Sequence, residues 1–180
     1  LAEVIKYAVI KDEKLFNFLK NNFKKIISKD LLALQRIVKD CSRIKARITS
    51  SDERETRGLR TILNFGHTIG HAIEAASGYL GYNHGQAVSL GMVAAIDLSS
   101  RLKLIDHKLA TRIENLIKLY GLPVKLKIVP INKIIQAHYH DKKFSGKENK
   151  FVLISGIGKT KIVRSVSLDL IKESIKKLAG

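Results

Sequence analysis

The chain has 180 residues, a single cysteine (Cys41) and a formal net charge of +17. That length suits one domain with its own core. The lone cysteine excludes an internal disulfide and fits a reducing, cytoplasmic setting. Apolar runs are broken by Lys, Arg or Asp, and no signal peptide is recognisable, so neither a membrane span nor export is expected. The lysines lie between Ile and Leu at helical spacing, as on solvated helix faces, and no zinc-finger, RNP-type or arginine-rich motif accompanies them. A small anionic substrate therefore suits the charge better than a nucleic acid does.

Residues 1–10 read as a mostly buried helix that begins without methionine and already looks like helix interior, so part of a longer protein is expected. Asp12-Glu13 opens a second helix carrying Leu15, Phe16 and Leu19. Asp30 is placed to cap a long amphipathic helix with Leu31, Leu34, Ile37, Val38, Cys41, Ile44 and Ile48 near one face. A polar loop over 50–55 follows, then a short helix over 58–65 and another that carries His67 and His71 as far as Gly78. The turn-rich stretch 78–83 delivers His84 to a helix over 85–102 that is apolar nearly all round, which predicts a central position in a bundle. Its small residues, Gly91 and Ala94, allow close approach of neighbours. A helix over 106–120 stops at Gly121-Leu122-Pro123, and a short one covers 131–138. Residues 150–154 and 160–163 then read as a hairpin, and Ser167 caps a last helix ending near Ala179. The predicted fold is a mainly α, multi-helix domain spanning 1–180 with one small β-hairpin.

Three imidazoles fall within a short span. His67 and His71 are one helical turn apart and share a face, whereas His84 follows a tight loop beside a glycine. The zincin resemblance is superficial, because the position after the first histidine is Thr68 rather than a glutamate. Glu74 lies one turn beyond His71, as either a partner for a histidine or a surface charge. Alone, His67 and His71 also fit two backbone-bonded core histidines. With His84 the pattern becomes that of a catalytic metal held from separated segments with a position open. An anionic ligand is then expected. Glu3, an acid in an apolar helix start, is a candidate that spacing alone does not single out among 16 acidic residues.

The motifs Leu1-Ala2-Glu3-Val4-Ile5-Lys6, Lys45-Ala46-Arg47-Ile48, Asp52-Glu53-Arg54-Glu55 and Gly58-Leu59-Arg60 occur in that order. The run Leu63 to Glu74 (LNFGHTIGHAIE), His84-Gly85 and Asp141-Lys142-Lys143 follow them. Together they closely resemble the C-terminal, metal-binding domain of 3-dehydroquinate synthase, the lyase at the second step of the shikimate pathway of aromatic amino acid biosynthesis. The resemblance implies that Glu3, His67 and His84 coordinate a divalent metal, preferably zinc, with cobalt possible. It also implies catalytic roles for Lys6, Asn64 and His71, and substrate binding by Lys45, Arg60 and Lys142.

In the family, 3-deoxy-D-arabino-heptulosonate 7-phosphate is oxidised by NAD and loses phosphate. It is then reduced again and closes by an intramolecular aldol step to 3-dehydroquinate. NAD is held by an N-terminal Rossmann-like domain, expected to be absent here because no G-x-G-x-x-G follows a strand. The chain alone is therefore expected to be inactive, and the full enzyme is expected to be a homodimer. Iron-dependent alcohol dehydrogenases, which use an aspartate and a histidine four residues later, fit less well, since Tyr7 stands four residues after Glu3. Sugar-phosphate cyclases that make inosose or valiolone skeletons share more of the motifs. A basic interaction module that kept the fold is the remaining reading, disfavoured by the intact Glu3, His67 and His84.

Overall fold

A computed structural model describes residues 1–52, 58–78, 81–127, 129–140 (the last two as backbone only) and 148–179. Helix α1 (Ala2–Lys11) buries Ala2, Ile5, Lys6, Ala8, Val9 and Ile10 and gives way at Asp12 to α2 (Glu13–Asn21). Asp12 turns the chain because its carboxylate accepts the Leu15 N–H at 2.9 Å, as an N-cap does. A short α3 (Phe23–Ile27), which sequence periodicity did not suggest, precedes α4 (Leu31–Ser50). Asp30 caps α4 by accepting the Ala33 N–H at 2.9 Å, as expected.

The face of α4 differs from the expectation. Ala33, Ile37, Ile44 and Ile48 are buried, Leu34 and Cys41 are half-buried, and Leu31 and Val38 are exposed. With Asp40, also buried, the stripe steps by three and four residues from Ala33. Leu31 stands two residues before Ala33 and Val38 one after Ile37, which turns both away from the stripe. The short helix expected over 58–65 is a 3₁₀ turn, Leu59–Asn64. Asp52, expected in a polar loop, is buried (3% exposed). Its carboxylate accepts the Leu59 N–H at 2.7 Å and anchors the start of the 3₁₀ turn.

Helix α5 (His67–Ala76) lies against α6 (His84–Arg101), whose residues from Ala87 to Ser99 are all buried. α6 is the central helix, as its apolar circumference implies, and it touches α1, α5, α7, α9 and β1. Two glycines permit the α5–α6 approach. Gly66 enters α5 at φ +79, where a side chain would meet Met92. A Cβ on Gly91 would overlap the Gly66 carbonyl oxygen. Asn83 and Gln86 close the start of α6 as a reciprocal capping box, at 2.9 and 3.1 Å.

Helix α7 (His107–Leu119), capped by Asp106, and α8 (Ile131–His140) complete the helical layer before the hairpin. Strand β1 (Lys150–Gly156) pairs antiparallel with β2 (Lys159–Arg164), with an irregularity between Ile154 and Gly156 at the turn. Helix α9 (Leu168–Lys176), capped by Ser167, runs into a 3₁₀ turn, Lys177–Ala179. Two polar knots tie these parts to α6. Ser99 Oγ donates to Ala95 O at 2.7 Å and accepts from Ile154 N at 3.1 Å. Asp97 accepts from Arg101 at 2.6 Å and Ser174 at 2.7 Å, with the Lys177 ammonium 3.1 Å away. The fold is mainly α with one hairpin, as expected. Among the described residues, no helix is long and apolar enough to cross a membrane.

Candidate metal centre

Three elements converge at one end of the helical layer. α1 presents Glu3 from its first turn, α5 presents His67 from its first residue, and α6 presents His84 from its first residue. Glu3, His67 and His84 each offer one ligand atom, and these atoms all lie within 4.8 Å of one another. Glu3 Oε1 is 3.4 Å from His67 Nε2 and 3.7 Å from His84 Nε2. Donors around a tetrahedral zinc, with bonds near 2.1 Å, stand about 3.4 Å apart, so the carboxylate already lies near ligand spacing from both imidazoles.

The two carboxylate oxygens of Glu3 have different surroundings. Oε2 pairs with the Lys6 ammonium at 2.5 Å. Oε1 is buried and has no well-formed hydrogen bond, only the two nearby imidazole nitrogens. A buried oxygen left this way is costly unless something electropositive sits against it, and a cation among the three donors would supply that. Burial opposes ionisation of Glu3, but His67 and Lys6 outweigh it and bring its pKa from 4.5 to about 2. The carboxylate is therefore charged and ready to bind at any ordinary pH. The donor set of one carboxylate and two imidazoles is the mixture that zinc and similar divalent ions accept.

His67 Nδ1 lies 3.2 Å from the Phe65 carbonyl. A carbonyl only accepts, so Nδ1 carries a proton, and Nε2 is the nitrogen that faces Glu3. His71 shares the face of His67, with ring centroids 5.4 Å apart, and its ring stacks beside His84 at 6.4 Å. His71 is exposed and stands outside the three-donor set, at the rim. Lys6, by contrast, is buried (4% exposed) with its ammonium at Glu3.

The 3₁₀ turn beside α1 and α4 carries the next group. Arg60 and Asn64 line a cavity of about 350 Å³ together with Asp52, Gly58, Thr61 and Leu63. Arg60 also faces a second depression, of about 430 Å³, walled by Ala46, Thr49 and Ser50 of α4. Lys45 sits on the exposed face of α4, next to Ala46, and is not drawn into the three-donor set. Lys142 lies outside the described residues, as do Glu53, Arg54 and Glu55 of the Asp52 motif.

Sequence reasoning did not find the anchoring role of Asp52. Its partner is an N–H seven residues on, and no helical or strand period links the two. The Asn83–Gln86 box was legible in principle from its spacing.

A helical domain that gathers a carboxylate and two imidazoles from three helix starts has the donor set of a metal-binding α-helical domain. The comparisons narrow the class. The description of the 3-dehydroquinate synthase C-terminal family matches residues 1–144, and the chain belongs to that family. The 3-dehydroquinate synthase of Thermodesulfovibrio yellowstonii is 45% identical over 96% of this chain and 48% of its own length. That of Acidithiobacillus ferrooxidans is 41% identical over 98% of this chain and 48% of its own. The chain thus spans about half the length of the curated relatives it matches.

Among solved structures, the 2-epi-5-epi-valiolone synthase of Streptomyces hygroscopicus, with NAD+ and Zn2+ bound, superposes with a TM-score of 0.86 at 22% identity. The match covers 98% of this chain and 49% of that one. A 2-deoxy-scyllo-inosose synthase complexed with carbaglucose-6-phosphate, NAD+ and Co2+ gives 0.77 at 24% identity, over 98% and 50%. At these identities the two likenesses establish the fold alone.

Proposed function

We propose that this chain forms the metal- and substrate-binding half of a cytoplasmic 3-dehydroquinate synthase. In this reading it acts with an NAD-binding half on 3-deoxy-D-arabino-heptulosonate 7-phosphate, releasing phosphate and forming 3-dehydroquinate. The observation that carries the proposal is the buried Glu3 Oε1, without a well-formed hydrogen bond and facing two imidazole nitrogens. Family membership supports the reaction, because the curated relatives at 41–45% identity are 3-dehydroquinate synthases, whereas the valiolone and inosose synthases stand at 22–24%.

Glu3, His67 and His84 would hold the divalent metal, zinc by preference, and cobalt is the alternative. The ion would polarise substrate oxygens as a Lewis acid. The chain's own residues then divide the remaining work. The Lys6 ammonium, fixed against Glu3, points positive charge at the oxygens that gather electron density. Asn64, lining the cavity with Arg60, and His71, at the rim of the centre, hydrogen-bond hydroxyl or phosphate groups, and an imidazole can move a proton there. Arg60, with its forked donors, grips one anionic end of the substrate. Lys45 and Lys142 add charge for the phosphate or carboxylate.

The phosphate leaving group can take up the proton in the elimination, so the site does not need a strong protein base. The hydride acceptor, NAD, would come from the other half. Homodimeric assembly of the complete enzyme is part of the same reading.

A phosphate-release assay tests the proposal. With zinc, NAD and substrate, the chain alone should give no turnover, and adding the NAD-binding half of a relative should restore it. Turnover by the chain alone, or none after complementation by a half shown to bind it, would overturn the reading.

A further inference from the structure

Glu74 is buried (8% exposed) in the last turn of α5. Both features disfavour an anion there, because the C-terminal end of a helix carries partial negative charge and burial removes water. Its Oε1 accepts from His84 Nδ1 at 3.0 Å. The His84 side chain is otherwise half exposed at the first position of its helix, and its ring meets those of His67 and His71 at centroid distances of 5.5 and 6.4 Å, contacts that do not choose between its two nitrogens. The Glu74 contact does two things at once. It places the proton on Nδ1, and it turns Nε2 toward Glu3, 3.7 Å away. His67 is held in the same sense by the Phe65 carbonyl at 3.2 Å. The two imidazoles thus face the centre through equivalent nitrogens, one backed by a neutral acceptor and one by a carboxylate.

Resting on the metal-centre reading above, we infer that Glu74 is a positioning residue for the metal. It selects the His84 tautomer, orients the ring and strengthens its donor nitrogen, as carboxylates behind metal-binding histidines do. This explains why a charged residue occupies a buried place at the unfavourable end of α5, where a core side chain would pack at less cost.

The test uses the 180-residue chain. Nitrogen-15 NMR of histidine-labelled, metal-free protein should show His84 protonated at Nδ1 in the wild type and in Glu74→Gln, which keeps an acceptor. In Glu74→Ala the His84 signals should move to a mixture of tautomers while those of His67 stay in place. Zinc affinity by calorimetry should fall about 10- to 100-fold in Glu74→Ala and by less in Glu74→Gln. Wild-type affinity in Glu74→Ala, or an unchanged His84 tautomer, overturns the inference. A wild-type chain that binds no zinc overturns the metal reading instead, which is distinct because the tautomer measurement needs no metal.

Discussion

Gly91→Ala is a one-methyl change that tests the packing on which the centre depends. The added Cβ would lie 2.7 Å from Gly70 N and 2.9 Å from Gly66 C, and would overlap Gly66 O. All three are backbone atoms of the α5 start, so no rotamer change relieves the contact. Comfortable carbon contacts need about 3.5 Å, so relieving the overlap with the Gly66 oxygen requires α5 to retreat by roughly 1.5 Å. The struck oxygen also accepts the Gly70 N–H at 3.0 Å, the first helical bond of the segment that carries His67.

Overpacking of this sort costs about 3 kcal/mol, and the better helix propensity of alanine returns about 1 kcal/mol. The net loss of about 2 kcal/mol corresponds to a fall in Tm of about 4–8 °C for a chain of this size. Thermal unfolding followed by circular dichroism reads it directly. Zinc affinity should fall as well, because α5 and α6 carry His67 and His84. A Tm equal to or above that of the wild type would refute the close-approach argument.

Further expectations concern two buried carboxylates. Burial opposes the charge of Asp97, but Arg101, Ser174 and Lys177 outweigh it and lower its pKa. Its contribution to stability is therefore fully present above the ordinary carboxylate range and is lost as pH falls through the lowered value. Asp97→Asn should cost about 2 kcal/mol in urea unfolding at neutral pH, below the range for a fully buried pair because its cationic partners are partly exposed. The wild-type and variant curves should converge in strong acid, and a gap independent of pH would contradict the assignment. Asp52→Ala leaves the Leu59 N–H without its acceptor and should cost about 1–3 kcal/mol by the same assay. An unchanged denaturation midpoint would show that the 3₁₀ turn does not depend on Asp52.

Much of the helical order was legible because it is written locally. Asp12, Asp30, Asp106 and Ser167 each sit just before an apolar period and each caps the helix that follows. The central place of α6 followed from its lack of a polar face. The register of α4 was harder to read. Leu31 and Val38 are apolar, yet the stripe that faces the core runs through Ala33 and Ile37, and composition alone does not distinguish two overlapping apolar faces.

At the centre, His67 and His84 stood out by residue type and turn context, whereas Glu3 was a candidate only as an acid in an apolar helix start, and the family resemblance singled it out. That is the expected limit. Glu3 and the histidines are more than sixty residues apart in the chain, and only the packing of α1 against α6 brings them together. The Glu74–His84 contact was one of two readings left open for the same reason, since it spans the turn between α5 and α6.

The central claim is that Glu3, His67 and His84 form a metal centre. Calorimetric titration of zinc into the metal-free chain tests it most directly, alongside Glu3→Ala, His67→Ala, His84→Ala and His71→Ala. The account predicts one tight site in the wild type, lost in the first three variants and retained in His71→Ala. A wild-type chain that takes up no zinc, or a tight site that survives removal of His67, would contradict it.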